Sequence, residues 1–227
     1  MSGRIGAERL RAALRLVAVT PDGANTPEEA VRLIAPALRG GATMLQYRDK
    51  RDIAPELRAR MAAAIRAACA ESGAMFIVND DLSLARLVGA DGVHLGPEDE
   101  RVDVARSRVP EGFIIGASAG TTAAAHSAAS RGADYLGVGA IFDARATKAN
   151  ASEPRGVEHL RAVRAALPRM PLVGIGGITE QNASSVTGSG ADGVAVVRAV
   201  FVGADPAGAA RVLRERVLLG LLGGARD

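Results

Sequence analysis

The chain has 227 residues, of which 48% are hydrophobic and 23% charged, an ordinary composition for a soluble globular protein. The net charge of +3 is small and scattered, and the aromatic content of 3% is too low for base-stacking platforms, so a site for a small anion is favoured over a nucleic-acid surface. A single cysteine, Cys69, excludes an internal disulfide or a cysteine metal cluster and is expected to be a buried filler. No apolar run approaches the roughly 20 residues of a membrane span, and we expect a cytoplasmic protein.

Short apolar, β-branched segments alternate along the chain with alanine-rich helical segments. Most of the apolar segments lack a polar face, which is typical of parallel strands covered by helices. The predicted strands span residues 14–20, 43–48, 75–80, 92–96, 113–119, 135–142, 172–178 and 193–199. The predicted helices span residues 26–40, 53–72, 81–91, 98–108, 121–131, 156–167, 179–189 and 205–220. Thr26 is the expected N-cap of the first helix, which Pro36 is expected to kink or shorten.

Eight strand–helix units predict one α/β domain over residues 1–227, a (β/α)8 TIM barrel whose core spans about 14–220. The rival fold is an open doubly wound sheet, which usually has fewer strands and a glycine fingerprint after the first strand. The first turn here, TPDGANTPEE, lacks that fingerprint. Four helix-to-strand joints repeat nearly the same letters, GGATML, GADGVHL, GADYLGV and GADGVAV, and glycine there suits a left-handed helix stop.

Polar residues follow the second strand. Active sites of such barrels lie at the carboxyl ends of the strands. Side chains alternate along a strand, so Gln46, Arg48 and Lys50 share one face, and an inward face would suit a polyphosphate. The alternative is an exposed strand end with ordinary charges. The apolar Met44 and Leu45 indicate a buried strand and favour the functional interpretation.

Carboxylates follow the third and fourth strands. Asn79 is a candidate amide ligand for substrate, and Asp80 a candidate ligand for a hard cation, although either Asp80 or Asp81 could instead cap the following helix. Both interpretations hold if Asp81 caps the helix and Asp80 binds the metal. Asp99 could face Asp80 and complete a Mg²⁺ site beside a pyrophosphate, with Glu98 as the competing ligand.

The fourth and fifth strands each carry one further polar residue, and the loop after the sixth carries a lysine. We expect His94 to be a hydrogen-bonded barrel histidine rather than a catalytic base. Ser118 is equally a substrate contact or a filler. Lys148 and Lys50 are the only lysines in a chain that otherwise uses arginine, which is either chance or a need for a compact point charge at an anion site.

The seventh and eighth strands end in a pattern typical of a phosphate site. The pair Gly176-Gly177 leaves backbone N–H groups open to an anion, and the eighth strand ends at residues 197–198. Loops after these two strands form the usual phosphate site of the barrel. Two anion sites favour a reaction that joins two phosphorylated molecules with loss of pyrophosphate. There is no Ser-His-Asp set, zinc-ligand cluster or dinucleotide fingerprint.

From about Leu14 to Phe201 the chain carries, in order, QYRDK, VNDD, ADGVHLGPED, IIGAS, GADYLGVGAIF followed by TK, GIGGIT and GADGVAVV. Together these motifs resemble the thiamine-phosphate synthase family. The resemblance implies Mg²⁺-dependent transfer of a hydroxymethylpyrimidine group from its diphosphate to hydroxyethylthiazole phosphate, giving thiamine phosphate and pyrophosphate. It also implies a dissociative mechanism: Mg²⁺ and lysines stabilise the leaving pyrophosphate, and the thiazole nitrogen captures a pyrimidine-methyl cation.

The resemblance also implies roles for individual residues. The implied pyrimidine-diphosphate contacts are Gln46, Arg48, Lys50, Asn79, Ser118 and Lys148, of which Arg48, Lys50 and Lys148 carry the catalytic charge. The implied Mg²⁺ ligands are Asp80 and Asp99. The implied thiazole-phosphate contacts are Thr147, Gly177, Val197 and Arg198, with Arg145 as a further anion contact.

Three residues depart from the family pattern. Arg145 stands at the first threonine of a Thr-x-Thr-Lys loop, Arg198 replaces a serine, and Pro97 stands where glutamine is common. The two arginine replacements keep or strengthen affinity for phosphate, and they bear on the thiazole-phosphate contacts rather than on the reaction. The alternatives are a thiazole tautomerase-like isomerase, which is poorer in diphosphate and metal residues, and a non-catalytic phosphate-ligand sensor, which predicts lost metal carboxylates. Small phosphorylated substrates are the expected partners, and a homo-oligomer is compatible with a small barrel.

Overall fold

The computed structural model describes residues 6–144 and 153–224. Eight parallel strands pair in chain order and close into a barrel, which confirms the predicted fold class. The strands are β1 (Leu16–Val19), β2 (Met44–Tyr47), β3 (Met75–Asn79), β4 (Gly92–Leu95), β5 (Ile114–Ala119), β6 (Tyr135–Val138), β7 (Leu172–Ile175) and β8 (Gly193–Val196). The helices are α1 (Ala7–Leu14), α2 (Pro27–Arg39), α3 (Pro55–Ser72), α4 (Leu82–Val88), α5 (Val102–Ser107), α6 (Thr122–Ser130), α7 (Gly156–Ala166), α8 (Ala183–Gly188), α9 (Arg198–Phe201) and α10 (Pro206–Gly224).

Helix α1 was not predicted from the sequence. The predicted first strand began at residue 14, but Leu14 is the last residue of α1. Leu10 and Leu14 are buried against the inward-facing side chains of the strands, so α1 covers the amino-terminal end of the barrel. This burial of one helical face is a tertiary contact, which explains why the local β-branched pattern extended the strand too far.

Helix α2 is the first of the helices predicted from the sequence. It begins where predicted, but Pro36 does not end it early. The backbone N–H of Glu29 donates to Thr26 Oγ1 at 3.2 Å, which confirms the N-cap. The helix runs through Pro36 to Arg39, so the proline does not shorten it. Proline forfeits only its own N–H bond, and its carbonyl still accepts from the N–H of Gly40 at 2.9 Å.

The core has two layers because strand side chains alternate in direction. The inner layer fills the barrel, and the outer layer packs the strands against the helices. The apolar inward-facing strand residues are Val17, Val19, Met44, Met75, Ile77, Ile114, Tyr135, Val173 and Ala195. Cys69 is buried in the outer layer, as expected, and burial raises the pKa of its thiol to about 12. No helix within residues 6–144 and 153–224 is long and apolar enough to cross a membrane.

The four repeated joints lead into the even-numbered strands and have one structural purpose. In each, the side chain of the threonine or aspartate that follows the glycine–alanine pair accepts a hydrogen bond from a backbone N–H at or beside the start of the preceding odd-numbered strand. The pairs are Leu16 N to Thr43 Oγ1 at 2.9 Å, and Phe76 N to Asp91, Ile115 N to Asp134 and Leu172 N to Asp192, each at 2.8 Å. The repeat therefore stabilises the amino-terminal end of the barrel, opposite the strand ends that carry the candidate site.

Replacing one joint carboxylate is expected to destabilise the fold. Asp134→Ala leaves the N–H of Ile115 unpaired inside the barrel wall and removes the ion-pair partner of Arg106. We expect the free energy of unfolding to fall by about 2 kcal/mol, measured by urea denaturation. The matched control is Asp103→Ala, since Asp103 pairs with Arg101 at the exposed surface and its loss should change stability much less. Equal losses in the two variants would contradict the structural role of the joint.

Candidate active site

The end of β2 supplies the first candidate residues. Gln46 is inward-facing and buried, with 6% of its surface exposed. Arg48 follows β2 and is held by its backbone, because its N–H donates to Thr20 Oγ1 at 2.8 Å and its carbonyl accepts from the same hydroxyl at 2.8 Å. Thr20, directly after β1, therefore fixes the direction in which the chain leaves the neighbouring strand.

Asp22 joins the two candidate cations of this segment. The backbone N–H of Lys50 donates to Asp22 Oδ1 at 3.0 Å, and Arg48 Nη1 lies 3.6 Å from Asp22 Oδ2. Sequence reasoning treated the TPDG segment only as a turn and missed this carboxylate. Its nearness to a cationic strand end arises from parallel pairing of β1 with β2, which a turn motif alone does not reveal.

The loop after β2 is braced from the opposite side. The carboxylate of Asp49, only 9% exposed, accepts from Arg51 Nε at 2.9 Å and Nη2 at 2.6 Å. Burial acts to raise the pKa of Asp49, but the hydrogen bonds and charge of Arg51 bring the pKa below its ordinary value. Arg58 donates to the carbonyls of Asp49 and Arg51 at 3.1 and 2.7 Å. The alternating residues Arg48 and Lys50 are thus displayed on a rigid loop.

A cation and two carboxylates meet beside this loop. Asp80 directly follows β3, and its side chain forms an ion pair with Lys50 Nζ. Its backbone is left-handed, with φ of 66°, and its N–H donates to the carbonyl of His94 at 2.8 Å. The turn that places Asp80 is therefore held by a bond to the next strand, and it brings the predicted metal ligand next to the predicted lysine.

Asp99 is the second carboxylate. One of its oxygens accepts from the N–H of Gly96 at 2.7 Å. Burial raises the pKa of the Asp99 carboxyl above its ordinary value, and the adjacent Asp80 carboxyl raises it further, while the Lys50 charge opposes both effects. A carboxyl that raises the pKa of another lies near it, so Asp80 and Asp99 are neighbours at this end of the barrel.

These two carboxylates suit a hard divalent cation. Asp80 and Asp99 offer oxygen ligands, and Mg²⁺ is commonly held by one or two carboxylates together with phosphate oxygens and water. Within the described part of the chain, no group of three or more His, Cys, Asp or Glu side chains could hold a metal. Two carboxylates suit a cation that brings phosphate oxygens and water as its other ligands. Asp81 caps α4 by accepting from Leu84 N at 2.8 Å, and Glu98 is exposed.

The histidine of β4 is hydrogen-bonded inside the barrel, as expected. His94 Nδ1 lies 3.0 Å from the Tyr135 hydroxyl, and Nε2 lies 3.0 Å from Ser118 Oγ. Burial lowers the pKa of His94 to about 4, against a small opposing effect of the Asp99 charge. The ring is neutral, and both nitrogens are engaged. Ser118 is exposed at the mouth, so its hydroxyl reaches both the buried histidine and the space where a ligand would bind.

The glycine pair after β7 is required by packing. Gly176 and Gly177 have φ of 99° and 63°, which side-chain-bearing residues rarely adopt. A Cβ on Gly177 would lie 2.5 Å from the carbonyl oxygen of Asp143, and a Cβ on Gly176 would lie 2.7 Å from Ala140 Cβ. The pair therefore lets the β7 loop approach the β6 loop closely, whether or not it also contacts phosphate.

The strand-eight residues occupy a different element from the one predicted. The predicted strand ran to residue 199, but β8 ends at Val196. Val197 is the N-cap of α9, is partly buried against the inner layer, and is followed by the exposed Arg198. A backbone with ψ of −75° at Val197 ends the extended geometry, which is why the apolar pattern overran the strand.

Of the remaining predicted site residues, one lies in the part of the chain that the structure describes and three lie outside it. Asn79 ends β3 and is paired in register with His94 on β4. Arg145, Thr147 and Lys148 lie outside the described residues. The structure thus brings Lys50, Asp80 and Asp99 together.

Known proteins resemble this chain over nearly its whole length. The family profile described as thiamine monophosphate synthase matches residues 16–200. A protein of Moorella thermoacetica named thiamine-phosphate synthase is 49% identical over 204 residues, covering 90% of this chain and 95% of that protein. A protein of Methanoculleus marisnigri with the same name is 49% identical over 181 residues, covering 80% of this chain and 84% of that protein.

Solved structures agree with the sequence comparisons. Thiamine phosphate pyrophosphorylase from Pyrococcus furiosus superposes with a TM-score of 0.82 at 36% identity, covering 93% of this chain and 99% of that one. A 3-hexulose-6-phosphate synthase from Salmonella typhimurium superposes with a TM-score of 0.66 at 18% identity, which shows a shared barrel fold alone. The profile match, the identities and the coverage lead to one conclusion: this chain belongs to the thiamine monophosphate synthase family.

Proposed function

We propose that this chain is a thiamine-phosphate synthase that joins hydroxymethylpyrimidine diphosphate to hydroxyethylthiazole phosphate and releases pyrophosphate. The observation that carries the proposal is the cluster of Lys50, Asp80 and Asp99 at the carboxyl ends of β2, β3 and β4. An ammonium beside two carboxylates suits a diphosphate that arrives with a divalent cation. The reaction is inferred from membership of the family, and the cluster is the proposed binding site of the pyrophosphate leaving group.

In this proposal, the charged and the neutral residues at the mouth of the barrel bind different parts of the substrate. Arg48 and Lys50 project from the braced loop and bind diphosphate oxygens, and Asn79, Gln46 and Ser118 orient the pyrimidine. Because the bond to the leaving oxygen breaks before the new bond is complete, the largest contribution is stabilisation of charge that develops on pyrophosphate. No general base is needed in this scheme, in agreement with the neutral, enclosed ring of His94.

Asp80 and Asp99 are the proposed holders of Mg²⁺. When bound, the cation neutralises the diphosphate and so makes pyrophosphate a better leaving group. Lys50 forms an ion pair with Asp80. We propose that the lysine turns from Asp80 to the diphosphate when substrate and cation enter.

The thiazole-phosphate contacts are proposed at the opposite wall. Gly177 and Val197 flank the ends of β7 and β8, and Arg198 is exposed at the start of α9. Arg145 and Thr147, which precede α7 in the sequence, are proposed as further anion contacts. An arginine in place of a neutral hydroxyl side chain strengthens the attraction for a phosphate dianion.

The direct test is a reconstitution with purified full-length protein. Both phosphorylated precursors are mixed with the protein, with and without Mg²⁺, and release of pyrophosphate and formation of thiamine phosphate are measured. We expect stoichiometric formation of both products only when Mg²⁺ is present. Rearrangement of the thiazole phosphate alone, without pyrophosphate, would instead favour the isomerase. Binding of either precursor without turnover would favour a sensor.

Lys50→Gln is expected to change cation binding and turnover in opposite directions. Without the ammonium, Asp80 has no competing ion-pair partner, so Mg²⁺ should bind the substrate-free protein more tightly. At the same time kcat/KM should fall about 100-fold, because a charge that stabilises the leaving group is lost. Calorimetric titration with Mg²⁺ and initial rates measure the two effects.

The matched control is Lys50→Arg, which keeps the charge but changes its shape. Its affinity for Mg²⁺ should stay close to that of the unmodified protein, and its rate should lie between the other two, because a planar fork replaces a compact ammonium. Weaker Mg²⁺ binding in Lys50→Gln would contradict competition between the lysine and the cation.

A further inference from the structure

Asp22, in the turn after β1, uses its two carboxylate oxygens on two different residues at the end of β2. Its Oδ1 accepts from the backbone N–H of Lys50 at 3.0 Å. Its Oδ2 lies 3.6 Å from Arg48 Nη1. The first contact is a hydrogen bond to the backbone, and the second is an ion pair that is too long for a direct hydrogen bond. The two contacts can therefore serve different purposes.

The conformation of the loop after β2 does not require the negative charge of Asp22. A hydrogen bond from a backbone N–H needs only an oxygen acceptor, which an asparagine amide also supplies. Asn25, in the same turn, shows such a contact, because its Oδ1 accepts from Arg51 Nη1 at 3.0 Å. Arg48 is held separately through its backbone, which forms two hydrogen bonds of 2.8 Å with the Thr20 hydroxyl. The charge of Asp22 therefore acts mainly on the Arg48 guanidinium.

The ion pair between Asp22 and Arg48 is weak enough for a dissolved anion to replace it. Their side chains are 39% and 29% exposed, so water reaches both groups. Partly exposed ion pairs contribute little free energy, and a phosphate offers a guanidinium a bidentate contact that this carboxylate does not make. Within residues 6–144 and 153–224, no other carboxylate forms an ion pair with Arg48.

The second cation at this strand end has a similar partner. Lys50 Nζ forms an ion pair with Asp80. Each of the two cations proposed to bind the diphosphate thus has one carboxylate beside it in this structure: Asp80 beside Lys50 and Asp22 beside Arg48. Asp80 is also a proposed ligand of the divalent cation. Asp22 has no such second role, so its carboxylate is available to Arg48 whenever no anion occupies the guanidinium.

We propose that Asp22 is a positioning residue that competes with the diphosphate for Arg48 and thereby favours release of the product pyrophosphate. The anion displaces the Asp22 carboxylate from the guanidinium as it binds, and the carboxylate pairs with the guanidinium again as the anion leaves. The loop keeps its place throughout, because the Lys50 N–H stays bonded to Asp22 Oδ1. The identity of the anion as pyrophosphate rests on the proposed function.

The first test measures binding of inorganic pyrophosphate to the full-length protein by calorimetric titration at one fixed Mg²⁺ concentration. Asp22→Asn keeps an acceptor for the Lys50 N–H and removes the charge. We expect its dissociation constant for pyrophosphate to fall about fivefold, the upper range of what a partly exposed ion pair contributes. A residue that merely holds the loop would give weaker or unchanged binding, and either result overturns the proposal. Urea denaturation checks that the variant is folded.

Two controls separate competition for Arg48 from a general effect of charge. Asp52→Asn removes an exposed carboxylate from the same loop and should change the dissociation constant less than about twofold, because an exposed charge is screened. Asp22→Glu keeps the charge and should bind pyrophosphate about as the unmodified protein does. If either control binds pyrophosphate as tightly as Asp22→Asn, competition by the Asp22 carboxylate is not the cause.

The second test asks whether Asp22 acts through Arg48. Arg48→Ala removes the guanidinium, and pyrophosphate binding should become weaker. Adding Asp22→Asn to this variant should change the dissociation constant less than about twofold, since the effects of two contacting residues are not additive. The same gain in affinity with and without Arg48 would mean that Asp22 repels the anion directly, and the proposal would be wrong.

These measurements distinguish the proposal from the proposed function. If the unmodified protein binds pyrophosphate but forms no thiamine phosphate from the two precursors, the proposed function fails, and the Asp22 variants still decide the role of this carboxylate. If thiamine phosphate forms and Asp22→Asn binds pyrophosphate no more tightly, the function stands and the competition does not. Absence of pyrophosphate binding in every variant also contradicts the competition.

Discussion

Asp80→Asn is expected to lower kcat/KM by about 1000-fold while the barrel stays folded, because a cation ligand beside the leaving group is lost. Asparagine has nearly the same shape as aspartate and tolerates the left-handed φ of 66° at this position. Its amide can still accept from Lys50, so the local contacts are kept and the negative charge is removed. Initial rates across a range of Mg²⁺ concentrations measure the effect, and part of the loss should be recovered at high Mg²⁺.

The adjacent residue provides the control for this substitution. Asp81→Asn removes the same charge one position later, where the side chain caps α4 by accepting from Leu84 N. Asparagine is as good an N-cap as aspartate, so stability and turnover should both be unchanged. Equal losses of activity in Asp80→Asn and Asp81→Asn would mean that net negative charge, rather than a metal ligand, matters at this end of the barrel.

Lys148→Ala is expected to reduce turnover by about 1000-fold or more without changing the free energy of unfolding. In the family pattern this lysine contacts the diphosphate, and its ammonium would stabilise charge on the departing pyrophosphate. Lys50, the other lysine, has its own proposed place on the diphosphate from the end of β2, so we do not expect it to substitute for the missing charge. Single-turnover rates at saturating substrates isolate the chemical step, and urea denaturation checks the fold.

Two further variants show whether position and shape matter. Arg155→Ala removes an exposed positive charge just before α7 and should leave the rate unchanged. Lys148→Arg keeps a positive charge in a planar fork and should recover only part of the activity, since a flexible point charge meets a single phosphate oxygen better. Turnover close to normal in Lys148→Ala would remove this residue from the mechanism.

The sequence predicted the fold, and it predicted which strand ends carry the candidate carboxylates, because both depend on local patterns. Apolar segments separated by helical ones specify parallel strands, and strand ends in a barrel meet at one rim. Asp80 and Asp99 could therefore be placed together from their positions after β3 and β4. The strand limits at β6, β7 and β8 were predicted too long, because the backbone turns at Gly176 and Val197 while the apolar pattern continues.

Contacts between distant segments were decided only by the tertiary structure. Asp22 belongs to a turn after β1, and its role beside Arg48 and Lys50 appears only when β1 and β2 pair. Likewise, His94 and Tyr135 are ordinary strand residues in the sequence. Barrel closure brings His94 Nδ1 within 3.0 Å of the Tyr135 hydroxyl in a buried space, where water does not compete for the hydrogen bond.

The sequence by itself determined the (β/α)8 architecture and the chemical types of side chain at each strand end, because periodicity and strand order are encoded locally. The tertiary structure alone decided which of those side chains touch: Lys50 with Asp80, and Ser118 with His94. Hydrogen bonds and ion pairs depend on distances of a few ångströms between residues far apart in the chain, and only closure of the barrel sets those distances.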